Sequence, residues 1–329
     1  FAANLNGISG DISVASSTFS KGREALRIWN LSYGNISVTS NTVIVKADTA
    51  ISYGVSLRTI TGPIVLRNND VVWRDAVDMS GGQTVGIYMR ATSQTRVDHN
   101  RLNFPGVATG GTFTGAYIHN AGSDNLFEFN DFHSTGTHTG SGVLVELNNS
   151  TVTIKNNVFL SSMTVGASSA SLKLSLTSGV DADYNNWFSS NSANTFIWGT
   201  QFYEFPWYAA TGKDQNSIAS HPQWNDTKIG VEDFHPRSAG GRWNPATQAF
   251  VIDTQTSPTI DAADPSASYA NEPVYSGLRA NQGSYGNTQE ASRTSRAAVC
   301  VVKISVCHVG CDYQSVKDAV DALADVSNE

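Results

Sequence analysis

The chain is poor in charge, in cysteine and in long apolar runs, and each shortage closes off a class of protein. Only 15% of its 329 residues are charged, which disfavours the long solvated helices of an all-α fold. No apolar run reaches the roughly 18 residues that a membrane span requires. A net charge of −7 with a pI near 5.5 argues against nucleic acid as the main partner. There is no P-loop, no Gly-x-Gly-x-x-Gly, no His-Glu-x-x-His and no nucleophile elbow. The three cysteines all fall late, at Cys300, Cys307 and Cys311. An odd number leaves at least one thiol free or paired between chains. Cys300 and Cys307 would face opposite ways on one strand, whereas Cys307 and Cys311 flank a turn-like His-Val-Gly and form the better disulfide pair. Their C-x3-C spacing is a weak metal signal.

What is abundant is glycine, with 28 residues, and Ser, Thr and Asn, the residues of tight turns. The asparagines are ordered. Asn41, Asn69, Asn100, Asn130, Asn157 and Asn186 each stand just ahead of a strand-like run, at separations of 28, 31, 30, 27 and 29 residues. A period near thirty marks stacked coils. Two positions later come Val43, Val71, Leu102, Phe132, Phe159 and Phe188, an apolar column; three positions earlier come Val38, Leu66, Val97, Phe127, Ile154 and Asp183. Period-2 alternation between them is that of strands with one buried face. A second column is headed by glycine at Gly54, Gly86, Gly115 and Gly142. One such unit cannot bury its inner face, but stacked units can, and asparagines stacked at strand spacing can bond along the pile. The expected fold is all-β, a right-handed parallel β-helix; an antiparallel sandwich is the alternative, but it has no reason to repeat an asparagine and its apolar partner.

Residues 4–19 read as a degenerate earlier coil, Ile12-Ser-Val-Ala-Ser-Ser-Thr-Phe19 aligning with Ile36-Ser-Val-Thr-Ser-Asn-Thr-Val43 and putting Ser17 in the asparagine slot. No amphipathic helix precedes it, and the chain opens Phe1-Ala-Ala-Asn, so it is expected to start in mid-solenoid, as a processed chain or a piece of a longer one. Residues 1–217 form the coils and an aromatic end, where Trp187, Phe188, Trp198, Phe202, Tyr203, Phe205, Trp207 and Tyr208 are expected to plug the core rather than to form a sugar platform. Residues 218–296 carry Ser220-His-Pro-Gln-Trp224, Asp233-Phe-His-Pro236, Ser257-Pro-Thr-Ile-Asp261 and Gly283-Ser-Tyr-Gly-Asn287. These resemble the C-terminal trimming of secreted bacterial right-handed β-helix repeat proteins, often found in large surface polypeptides. The resemblance implies fold and export to the cell surface or beyond, not chemistry. Residues 297–329 change character: Ala297–Val306 is β-rich, and Val316, Ala319, Val320 and Leu323 give an amphipathic helix one apolar face. This strand and helix look like the N-terminal cap of pectate-lyase-like β-helices, here placed at the other end.

Outward residues of successive coils lie about 4.8 Å apart, so exposed columns become ladders. The glycine-headed strands align Arg27, Arg58, Arg90, His119, Glu146 and Lys173 in one column, with Ala25, Ser56, Tyr88, Tyr117, Leu144 and Ser171 two positions earlier. The asparagine-headed strands show Arg67, Asp98, Glu128 and Lys155. Guanidiniums pair with carboxylates and rings stack on sugars, so Arg58, Arg90, Tyr88, Tyr117, His119 and Glu146 are the candidate binders of an acidic polysaccharide. If the chain is a lyase, Arg90 or His119 is the base and Tyr117 the proton donor. The paired Asp-Asp and Gly-His-Gly arrangements of polysaccharide-cleaving enzymes are absent. No cofactor is expected. Asp253, Asp261, Asp264 and Glu272 offer oxygen ligands for calcium, with turn capping as the commoner use of such residues.

Two functions follow. The first is a non-catalytic segment of an extracellular fibre or surface protein. It would join head to tail with its own copies or with further β-helix modules, through Val316, Val320 and Leu323 and the three cysteines. The second is a module that binds or cleaves an acidic polysaccharide along the Arg/Tyr/His ladder.

Overall fold

In a computed structural model the strands stack as three parallel sheets that together form a β-solenoid. The residues described are 2–20, 23–32, 34–45, 51–73, 82–105, 111–137, 142–164, 170–190 and 195–294. Cys300, Cys307, Cys311, Val316, Val320 and Leu323, assigned above to assembly, lie outside them. The first sheet contains the long strands Glu24–Ser32, Ile51–Thr61, Gln83–Arg90, Thr112–His119 and Gly142–Asn148. The second contains short ones such as Ile64–Arg67, Thr95–Asp98 and Asn125–Glu128, and the third includes Arg101–Pro105, Asp131–Thr137 and Val158–Thr164. Each strand pairs with its counterpart one coil on, so successive neighbours have two other strands between them in the chain.

The repeated asparagine makes the bend between the second and third sheets. The residue before it takes the left-handed conformation in every coil, as in Ser40, Asn68, His99, Phe129, Asn156 and Tyr184. The asparagine then turns inward and spends its amide on the stack. Asn100 is typical: its backbone N and Nδ2 donate to Asn130 Oδ1, each at 3.0 Å, and Nδ2 also donates to Leu66 O at 2.8 Å. These side chains are buried, and backbone carbonyls that a tight bend would leave bare in the interior receive a donor. Ser17 sits below Asn41, its N donating to Asn41 Oδ1.

At the far end the register differs from the sequence reading by one residue. Asn157 donates to Asn185, not Asn186. Trp187 rather than Phe188 therefore continues the column under Phe159, and Ala182 rather than Asp183 continues the column under Ile154. The single polar exception in that column disappears. Asn186 faces outward instead, exchanging bonds with Ser220: Nδ2 donates to Ser220 O and Ser220 N donates to Oδ1. Inside, Phe132 and Phe159 stack at 4.9 Å and Phe159 and Trp187 at 4.0 Å, all fully buried.

The aromatic end does plug the core. Trp187, Phe196 and Trp207 are buried, with Phe196 and Trp207 stacked at 4.4 Å. The indole N–H groups of Trp187 and Trp207 both donate to Asp214, at 3.0 and 2.8 Å, beneath the last asparagine. The antiparallel strand Gln201–Glu204 closes the first sheet. Phe202 and Tyr208 are exposed and take no part in the plug.

Residues 218–294 turn back along the solenoid and cover the third sheet and the asparagine bends. Trp224 and Phe234 pack on Val158 and Leu160, and Ala263 and Ala280 pack on Phe129. From His99 onward the left-handed bend residues meet the tail. His99 Nε2 lies 3.0 Å from Gly286 O, Asn156 Oδ1 accepts from Asp264 N, and Tyr184 O accepts from Gln282 Nε2.

Candidate functional site

The outward face of the first sheet holds the predicted ladder, in two columns rather than one. Arg58, Arg90 and His119 are register partners, and the column continues to Asn148. Ser56, Tyr88 and Tyr117 form the other, which starts at Arg27 and ends with Glu146 and Lys173. The sequence reading put Arg27, Glu146 and Lys173 in the wrong column. It aligned Gly142 with Gly115, whereas Gly142 pairs with Phe113 and Leu144 stands opposite Gly115. Ala25 and Leu144 face the core, and Ser171 is buried.

The two columns interlock. The Arg58 guanidinium lies 4.9 Å from the ring centres of both Tyr53 and Tyr88, and Tyr53 and Tyr88 are themselves 4.8 Å apart. Tyr88 and Tyr117 follow at 5.7 Å, and the Tyr117 and His119 rings are parallel at 5.9 Å. Arg27 covers Trp29 at 4.1 Å. The result is an unbroken run of π faces and guanidiniums across adjacent coils, arranged as cation–π pairs. Glu24 fixes Arg58 at 3.1 Å, Ser56 Oγ accepts from Arg58 Nε, and Lys173 pairs with Glu146 at 3.0 Å. Arg90 is exposed and has no carboxylate partner among the described residues. Tyr53, which the sequence reading missed, is part of the same run; its place one position ahead of Gly54 was the available signal.

Burial raises the pKa of both Tyr53 and Tyr117, so both hydroxyls stay protonated in ordinary conditions. Asn148 Nδ2 donates to the Tyr117 hydroxyl oxygen at 3.3 Å. The trio named for a lyase, Arg90, His119 and Tyr117, is thus brought together on one face.

The second sheet presents the predicted column Arg67, Asp98, Glu128 and Lys155 in register. It is a set of internal pairs. Asp98, fully buried, accepts from Arg67 at 2.8 Å and from Arg96 at 2.8 Å, and Arg96 also pairs with Glu128. Burial alone would raise the Asp98 pKa, but hydrogen bonds from His99 and Arg67 hold it well below the usual range. Between this face and the tail lies a cleft of about 530 Å³ lined by Arg67, Arg96, His99, Tyr285 and Glu290 among others.

The calcium candidates are engaged one by one as hydrogen-bond acceptors. Asp264 Oδ1 accepts from Ser266 N and Oγ, Asp261 Oδ1 from Gly277 N, Asp253 Oδ2 from Ser238 N, and Glu272 Oε1 from Asn281 N and Asn287 N. Among the described residues no group of three or more His, Cys, Asp or Glu is arranged to hold a metal ion, and no helix is long and apolar enough to cross a membrane. Comparison of the chain with protein-family models, with curated proteins and with solved structures finds no match.

Proposed function

We propose that the chain is a binding module that holds an acidic polysaccharide along the outward face of its first sheet, without cleaving it. The observation that carries this reading is the continuous run Tyr53, Arg58, Tyr88, Tyr117 and His119, with Arg90, which has no carboxylate partner among the described residues, beside it. Rings at coil spacing suit the faces of successive sugars, and guanidiniums suit carboxylates at the same repeat. The charge supports it too. From Glu24 to Lys173 the outward columns carry Arg27, Arg58, Arg90 and Lys173 against Glu24 and Glu146, on a chain whose net charge is −7. A cationic strip on an anionic molecule attracts a polyanion locally and keeps it in one orientation. The fibre reading draws on an expected cap-like ending and cysteines in residues 297–329, which lie outside the described residues.

Affinity electrophoresis in gels containing polygalacturonate or a neutral glucan tests the proposal. Polygalacturonate is expected to retard the wild-type protein, and Arg90→Ala to weaken that retardation about tenfold or more, in line with the loss of one charge-assisted contact. The neutral glucan is expected to give none of this difference. Equal retardation of wild type and Arg90→Ala would refute the site. Release of unsaturated uronates, followed by their absorbance, would refute the absence of cleavage.

A further inference from the structure

Two carboxyl groups, Asp131 buried and Glu272 half-buried, grip the same short piece of the tail in the same way, each keeping one oxygen buried. Asp131, on the third sheet, is 1% exposed. Its Oδ2 accepts from Ser284 N at 2.9 Å and from Ser284 Oγ at 2.5 Å, while its Oδ1 is buried with no hydrogen-bond partner among the described residues. Glu272 repeats the pattern within the tail. Its Oε1 accepts from Asn281 N and Asn287 N, both at 2.8 Å, and its Oε2 is buried without a partner among the described residues. Residues 281–287 are thus tied down at their middle and at both ends by two acids. Gly283 stands against Asp131 with φ +88°, and a Cβ there would run into the carboxyl group.

An ionised carboxylate leaves charge on an oxygen buried away from bulk solvent, which is costly; a carboxylic acid places its proton on that oxygen and keeps both bonds on the other. Arg101 lies next to Asp131 in the sheet, but it is committed to Asp70 at 2.5 Å and to Asn68 at 2.9 Å. The other titratable group acting on Asp131 is His235, whose ring stacks on Tyr285 at 3.5 Å and stands between Asp233 at 2.5 Å and Glu290 at 3.3 Å. Asp261 is the charged neighbour of Glu272.

We propose that residues 281–287 form an acid-locked clasp: Asp131 holds the middle of the segment on the solenoid and Glu272 holds its two ends within the tail, both as neutral carboxylic acids, and the grip loosens as the pH rises past neutrality. Burial pushes both groups up to about 7, against the pull of the hydrogen bonds each accepts. The sign follows from the raised values. A carboxyl whose folded pKa exceeds its unfolded one contributes stability in full below the unfolded value, near 4, and loses it as the pH climbs through about 7. Ser284, Tyr285 and Asn287 also line the 530 Å³ cleft, so one wall of that cleft belongs to the clasp.

Hydrogen exchange read by mass spectrometry, at pH 5 and pH 8 and corrected for intrinsic rates, tests this on the whole chain. In the wild type, protection of amides in 281–287 is expected to fall about tenfold or more between the two pH values. Asp131→Asn with Glu272→Gln keeps the acceptor oxygens without the charge, and should hold protection within about twofold. Equal protection of the wild type at both pH values would overturn the proposal, as would a double variant with the wild-type pH response, since His235 is intact in both. Should the double variant fail to fold, isotope-edited infrared spectroscopy of the wild type reads the carboxyl C=O stretch directly. Both groups ionised at pH 5 would equally overturn it.

Discussion

Among the described residues, the asparagine stack concentrates many buried hydrogen bonds on each single side chain. Removing the Asn100 side chain would strip the acceptor from Asn69 N and Nδ2 and the donor from Leu66 O, all in the interior. Buried polar groups left alone cost about 1–3 kcal/mol each, so Asn100→Ala is expected to lower stability by about 2–5 kcal/mol in urea unfolding. An effect below about 1 kcal/mol would mean that the stack is decorative. Phe132→Ala acts by a different route, leaving a cavity between Leu102 and Phe159, and is expected to cost about 3–5 kcal/mol. The sequence displayed both columns because their residue types repeat. It misplaced the last rung at Asn186, for a physical reason. Asn185 and Asn186 are adjacent, and the choice between them is made by Ser217 and Asp214 bonding Asn185 and by Ser220 bonding Asn186. Those partners lie some thirty residues further on, where no periodicity points to them.

At the scale of the strand, faces are set by alternation, but partners are set by the length of the connection between coils. Hence the sequence showed that Arg58, Arg90, Tyr88, Tyr117 and His119 point outward, yet joined Glu146 to the wrong column. The glycine that guided that alignment, Gly142, lies two positions before the slot opposite Gly115, which Leu144 fills. The three glycines that do align are explained by close approach. A Cβ on Gly54, Gly86 or Gly115 would stand 2.5, 2.6 and 2.5 Å from a carbonyl oxygen of the next coil, well inside contact distance. Gly86→Ala is therefore expected to push two coils apart and to cost about 1–3 kcal/mol, since Gly115 O is backbone and cannot swing aside. Thermal unfolding of that variant measures it, and an unchanged midpoint would show that the coils have slack.

A solenoid alone is a chain of nearest-neighbour contacts, each coil touching only the next, and such arrays fray from their ends. Here the tail changes the connectivity of the whole molecule. Asn103 donates to Thr227 O, His99 meets Gly286 O, Asn156 bonds Asp264 and Gly283, and Tyr184 O accepts from Gln282. These bonds tie several coils to one strap. The rail that receives it was unreadable as such in the sequence, although it carried a trace. Phe129 and Tyr184 occupy left-handed bend positions where bulky residues are uncommon, and both are covered by tail atoms. Removing residues 218–294 would uncover Phe129, Val158, Leu160 and His133, the last of which burial holds near pKa 4 and therefore neutral. Two effects are expected from that truncation. The exposed apolar strip should promote association, and the unfolding transition should broaden, because coils freed of the strap can melt successively. Comparing the urea m-value of truncated and intact chains decides the matter: an apparent m that falls by more than the surface lost with residues 218–294 marks loss of cooperativity, whereas a fall in proportion to that surface would show that the stacked asparagines and core columns unify the coils without the strap.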